Sequence, residues 1–175
     1  PALVASLLAC FRLGLTAVPR DPAPDKEGQL ARRAGDAGCH AALIAGEVGD
    51  AGLDVLVRLP ADWAERRAEL PPSVAVPADH PALVFTDSRG ATYSIPTGGF
   101  AVQARAAVET LLNLNPGGCD RIGLWAPAHH AAFAATAVGT LLCGGTLCAV
   151  EGGAPSDADA LRKALTGATL HAVLI

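Results

Sequence analysis

Short apolar runs without polar alternation recur along this chain, and stretches of helical pattern separate them. His40 to Ala45 (HAALIA) is the clearest of these runs. A strand of that kind needs cover on both faces, the environment of a parallel sheet flanked by helices. Further strands are predicted at 15–18, 54–59, 82–86, 121–125, 146–150 and 170–175. Helices are predicted at 2–12, 25–37, 98–112, 130–142 and 156–166, with the first apolar on all sides and therefore expected to be buried. Gly14 and Gly38 stand where the first two helices should stop. The alternating order predicts an α/β architecture with helices on both faces of parallel sheets.

Composition narrows the kind of core. Hydrophobic residues make up 51% of the chain but aromatic ones only 4%, so Ala, Leu and Val must fill the interior. A core of small side chains coheres only if backbones approach closely. The stretch from Pro60 to Pro77, rich in Pro, Glu and Arg around Trp63, reads as a surface helix and linker. It divides the chain into a first α/β subdomain (1–59), a linker (60–79) and a second subdomain (80–175).

An internal echo supports two related units. Gln29 to Ile44 aligns without gaps to Ala160 to Ile175, sharing Leu30 with Leu161, Ala37 with Ala168, His40 with His171, and Ile44 with Ile175. With one extra residue in the loop, Gly14-Leu15-Thr16 matches Gly144-Gly145-Thr146. The repeated unit runs from helix through glycine, strand, loop and amphipathic helix to a buried strand, too long for a solenoid period. The paired His40 and His171 read as structural for that reason.

Several classes of function recede. The net charge of −4 and scattered arginines leave no basic footprint for nucleic acid. No apolar run reaches the ~20 residues of a membrane span, and no signal-peptide pattern opens the chain. Cys10, Cys39, Cys119, Cys143 and Cys148 lack metal-knuckle spacing and read as buried small hydrophobes of a cytoplasmic protein. The sequence contains no methionine and opens on Pro1 within a helical pattern, so it is read as part of a longer polypeptide.

The chemistry-bearing stretch runs from Val84 through Thr86-Asp87-Ser88-Arg89-Gly90 and Thr92-Tyr93-Ser94 to Thr97-Gly98-Gly99-Phe100. It reads as a buried strand, a hydroxyl-rich turn and a helix start. At such junctions loop amides and a helix N-terminus present unpaired donors to phosphate.

In this order the segments resemble the N-terminal domain of the AMP-forming acyl-CoA synthetases, a family that includes luciferases and the adenylation domains of nonribosomal synthetases. LVASLLACFRLGLTAVPRDPAPDKEGQLARRAGDAGCHAALIA is similar to its stretch of helix, glycine, strand, Pro-containing loop, helix and strand. PALVFTDSRGATYSIPTGGFAVQA is similar to the segment carrying its signature Thr-Ser-Gly-Ser-Thr-Gly-x-Pro-Lys-Gly, and Thr97-Gly98-Gly99-Phe100 resembles the Thr-Gly-Gly-aromatic run of acetyl-CoA synthetases. LWAPAHHAAFAATAVGTLLCGGTLCAVEGG resembles its later helix and strand, ending in the acidic-Gly turn Glu151-Gly152.

The resemblance implies two parallel-sheet subdomains and a phosphate loop at Thr86, Ser88, Arg89, Gly90, Thr97, Gly98 and Gly99. It also puts His129 and His130 near an acyl pocket. The loop departs from the signature: Thr86 and Ser88 keep hydroxyls, but Asp87 and Arg89 intrude, two glycines are missing and no lysine follows. Asp87 sets negative charge where phosphates would lie, partly offset by Arg89.

The family's later motifs, its ribose-binding aspartate and its mobile C-terminal domain with the catalytic lysine have no counterpart before Ile175. The chain is therefore expected to be a non-catalytic pseudoenzyme domain with no cofactor. Its partners would be other domains of the same or a partner polypeptide in a multienzyme, not nucleic acid or membrane. Part of an active ligase using ATP and Mg to make acyl-AMP is the alternative, and an unrelated flavodoxin-like domain with one continuous sheet is a third reading. No catalytic or metal-binding residue is assigned, since Glu151, Asp157 and Asp159 sit where helix capping explains them. His80, before Pro81, is a loop residue without an evident partner.

Overall fold

A computed structural model of the 175-residue chain describes residues 2–19, 34–44, 55–86, 91–114, 121–124, 130–149 and 172–174, together with Asp159, Arg162 and Thr166. The helices bounded within the described residues are α1 (Ala2–Arg12), α2 (Thr97–Leu114) and α3 (Ala131–Leu142). The strands are β1 (Ala41–Ile44), β2 (Val55–Arg58), β3 (Pro81–Thr86), β4 (Thr92–Pro96), β5 (Arg121–Leu124), β6 (Thr146–Ala149) and β7 (Ala172–Leu174). Among the described residues they form separate small sheets: β1 with β2 in parallel, β3 with β4 antiparallel, and parallel β6-β5-β7.

The joints between helix and strand follow from glycine. At Gly14 (φ 66°) the amide donates to the Phe11 carbonyl and the Leu15 amide to the Cys10 carbonyl, closing α1 with the paired bonds of a Schellman motif. Gly144 (φ 74°) ends α3 in the same way, its amide bonding Leu141 and that of Gly145 bonding Thr140. The Gly14 and Gly144 positions that match in the sequence thus perform the same turn. An added Cβ at Gly14 would also come within 2.8 Å of Val76 Cγ1, so both backbone shape and space demand glycine there.

The main core joins α1 to the later elements. Leu7, Ala17, Ala82, Leu83, Phe85, Ile95, Phe100, Ala134 and Ala135 form one buried cluster. The rings of Phe11 and Phe100 meet at 4.9 Å between centroids. Ala17 extends β3 by a single parallel bridge: its amide donates to the Ala82 carbonyl and its carbonyl accepts from Val84, each at 2.9 Å. Pro19 follows two residues later and brings no amide to continue such a ladder.

The small-residue core closes where α2 meets α3. Ala134, Ala135, Thr136, Ala137, Gly139 and Thr140 of α3 are all buried. Thr140 has no exposed surface, and its hydroxyl has no hydrogen-bond partner among the described residues. Thr140→Val, which keeps the shape and drops the orphan hydroxyl, is therefore expected to stabilise the protein by about 1 kcal/mol. In thermal denaturation that is a rise of roughly 2–4 °C, whereas a fall would show that the hydroxyl has a partner.

Three expectations need correction. Residues 60–77 form no helix beyond a turn at 61–65. Prolines at 60, 71, 72 and 77 withhold amide donors, and the segment instead lies against the end of α1, with Val74 donating to the Arg12 carbonyl (2.8 Å) and Arg12 Nε to the Pro71 carbonyl (2.6 Å). The α1 helix is not buried all round: Leu7 alone is fully buried, and Leu8 is exposed. β1 and β2 are not covered on both faces either, since Leu43, Val55 and Val57 are 45%, 50% and 48% exposed. Among the described residues these two strands pair only with each other.

The predicted helix 25–37 is described only from residue 34, and the helix 156–166 only at Asp159, Arg162 and Thr166. The rest of both lies outside the described residues.

Candidate functional site

The stretch predicted as strand, turn and helix contains one more strand. Thr92-Tyr93-Ser94-Ile95-Pro96 is β4, folded back on β3 with Thr86 opposite Thr92 and Pro81 opposite Pro96. Tyr93 stacks on Phe85 at 5.7 Å between rings, while Ile95 turns into the core. The alternation of Tyr93 and Ile95 with hydroxyl residues and Pro is a strand signal that the hydroxyl-rich composition obscured.

This hairpin separates the predicted site residues. Thr86 is at the turn end of β3, and Ser88, Arg89 and Gly90 of the turn lie outside the described residues. Thr97, Gly98 and Gly99 open α2 at the other end of β4, about 17 Å away at the usual rise per residue. Thr86 and the Thr97–Gly99 positions therefore do not share a single loop.

At the α2 end the Thr97 and Gly98 donors are already engaged. The Thr97 amide (2.8 Å) and Oγ1 (3.0 Å) both donate to the His80 carbonyl, and the Gly98 amide donates to the Ala78 carbonyl (2.8 Å). The first amides of a helix lack partners within it, and here His80 and Ala78 supply them for Thr97 and Gly98. A Cβ at Gly98 would lie 3.2 Å from the Ala78 oxygen, so close passage of that segment accounts for this glycine.

His130 is the exposed N-cap residue of α3, with extended backbone (φ −92°, ψ 137°), and its side chain does not cap the helix. His129 lies outside the described residues. His80 is the residue whose role the sequence concealed: its carbonyl anchors the start of α2, and its Nε2 is buried without a hydrogen-bond partner among the described residues. Only the folding of 76–80 against α2 creates that situation, and no local pattern announces it.

Among the described residues no three His, Cys, Asp or Glu side chains come together as a metal site. Nor is any described helix long and apolar enough to cross a membrane. Cys10 packs against the core, and burial pushes its thiol pKa up, keeping it protonated and a poor nucleophile.

No protein-family model matches the sequence, and no curated protein matches it. Solved structures do match the fold. The nonribosomal peptide synthetase FmoA3 superposes with a TM-score of 0.75 over 95% of this chain, at 22% identity. The fold is that of the adenylate-forming enzymes. An o-succinylbenzoate coenzyme A synthetase from Bacillus subtilis, solved in complex with ATP and magnesium ion, aligns over 91% of the chain at 21% identity and a TM-score of 0.64. A malonyl-CoA ligase with methylmalonyl-CoA and AMP bound aligns over 82% at 21% identity and a TM-score of 0.60. The chain spans 18%, 43% and 31% of those three adenylate-forming proteins, respectively.

Proposed function

We propose that this chain is a divergent adenylate-forming domain that keeps the fold of a carboxylate-activating enzyme without its nucleotide affinity. In this reading it is non-catalytic, binds no cofactor, and serves as a structural or docking module within a larger polypeptide. The observation that carries the proposal is the state of the donors. The β3–β4 turn spells Asp87-Ser88-Arg89-Gly90, without the lysine and glycines that wrap phosphates in the family it resembles. The amides of Thr97 and Gly98 are spent on carbonyls of the protein itself. A phosphate beside Asp87 would meet its negative charge, only partly offset by Arg89. The docking role draws support from the β1–β2 sheet, which exposes Leu43, Val55 and Val57.

Isothermal titration with ATP and magnesium tests the reading. No saturable heat in the micromolar range is the expected result, and tight binding would overturn it. The second reading, part of a working ATP-dependent acyl-CoA or acyl-carrier-protein ligase, draws on a structural neighbour that holds ATP and magnesium and on the hydroxyls of Thr86 and Ser88. It requires that titration to succeed and pyrophosphate release by the parent polypeptide to fall on joint Thr86→Ala and Ser88→Ala substitution.

A further inference from the structure

Between β2 and β3 one stretch of backbone is left open. The turn at 61–65 is tied by Arg66 Nε to Asp62 Oδ1 (3.0 Å), and beyond it residues 66–77 form neither helix nor strand. Every residue from Ala64 to Ala75 is exposed. The chain is held again at Pro71, whose carbonyl accepts from Arg12 Nε, and at Val74, whose amide donates to the Arg12 carbonyl. Between those two holds, the backbone of Arg67, Ala68, Glu69 and Leu70 makes no hydrogen bond among the described residues. The exposed Arg67 side chain is in no ion pair among them either.

Other described arginines sit differently: Arg12 and Arg105 are on helices, Arg58 and Arg121 on strands. Hydrolysis beside those residues requires the element to open first, so its rate follows the small population of opened chain. An exposed segment outside the elements needs no such opening. We propose that the Arg67–Ala68 peptide bond is a processing site for an arginine-specific endoprotease of the trypsin class, whose specificity pocket carries a carboxylate. Water adds across the C–N bond, leaving a carboxylate on Arg67 and a free amine on Ala68. Arg67 takes the pocket in preference to Arg66, whose guanidinium is paired with Asp62.

Cleavage there opens the chain without dismantling the fold. Leu7 and Ala17, before the cut, are buried with Leu83, Phe85 and Ala134, after it. The rings of Phe11 and Phe100 meet, Ala17 bonds Ala82 and Val84, and Arg12 bonds Pro71 and Val74. All of these contacts cross the cut, so the two pieces stay together as one folded unit. The site is separate from the β3–β4 turn, and the proposal stands or falls independently of the ATP titration.

Brief digestion of the 175-residue chain with dilute trypsin, with new N-termini followed by mass spectrometry, tests the site. The Ala68 N-terminus should appear about tenfold faster, or more, than those created after Arg58, Arg105 and Arg121. With an affinity tag ahead of Pro1, the fragment beginning at Ala68 should be retained under native conditions and released in urea. Joint Arg66→Gln and Arg67→Gln substitution should abolish that fragment while the melting curve stays unchanged, as expected at exposed positions. Cleavage at Arg67–Ala68 no faster than within the helices and strands, or release of the Ala68 fragment from the tagged piece without urea, would overturn the proposal.

Discussion

Phe85→Ala is expected to cost about 3–5 kcal/mol, the range for deleting a buried aromatic ring. Phe85 is 1% exposed and is the largest of the fully buried side chains. It sits on β3 in the cluster that also contains Leu7, Ile95, Phe100 and Ala134, so its removal empties the point where α1, the hairpin and two further helices meet. The surrounding residues are themselves short, and alanines cannot lean in to fill the space. A loss of that size approaches the whole stability of an ordinary domain, about 5–15 kcal/mol. Urea denaturation should show the midpoint falling steeply at unchanged slope. Tyr93→Ala is the control: Tyr93 stacks on the same ring but is 46% exposed, so its loss should cost much less. Equal effects from both substitutions would mean that the stacked pair, and not burial, holds the hairpin.

The second large effect is expected at Gly139, where opposing contributions decide the sign. In the α3 interior, Gly→Ala alone gains about 1 kcal/mol of helix propensity. A Cβ there, however, would lie 3.0 Å from Ala107 Cβ and 3.1 Å from the Ala104 oxygen, both on α2. Gly139→Ala should therefore come out near neutral, the propensity gain offset by a small parting of the helices. Gly139→Val adds two methyl groups at a contact already closed and should destabilise by about 3 kcal/mol, the upper part of the usual range for overpacking. Thermal denaturation of both variants, with and without Ala107→Gly, gives the check. Partial rescue by Ala107→Gly, beyond the sum of the single effects, would locate the strain at the α2–α3 contact. A valine tolerated without change would mean that the helices are further apart than described.

The legible parts of the fold were those encoded by local pattern. The apolar runs placed β1, β2, β5 and β6 within a residue of where they lie, and α2 and α3 followed from long segments with turn residues on either side. The β4 strand was hidden because Thr92, Ser94 and Pro96 resemble turn residues, and its partner β3 lies across a turn whose register cannot be read from composition. The false helix at 60–77 arose in the same way: Glu and Arg favour a helix, but the proline spacing and the bonds from Val74 to Arg12 and from Arg12 to Pro71 favour an extended path.

The site divides along the same line. That the 87–90 stretch carries Asp87 and no lysine is visible in the chain itself, because charge and donor count belong to residues. Whether Thr97 and Gly98 could still offer amides to an anion depended on where residues 78–80 pass, and whether His80 has a partner depended on what α2 brings beside it.

By itself, then, the order of residues determined the alternation of helix and strand, the glycine joints at Gly14 and Gly144, and the small-residue core, all consequences of interactions within a few positions. Only the tertiary structure decided that β4 parts Thr86 from Thr97, that the Thr97 and Gly98 amides are already hydrogen-bonded, and that His80 lines an apolar pocket. Those three features rest on contacts between segments distant in the chain, whose energies no local pattern contains.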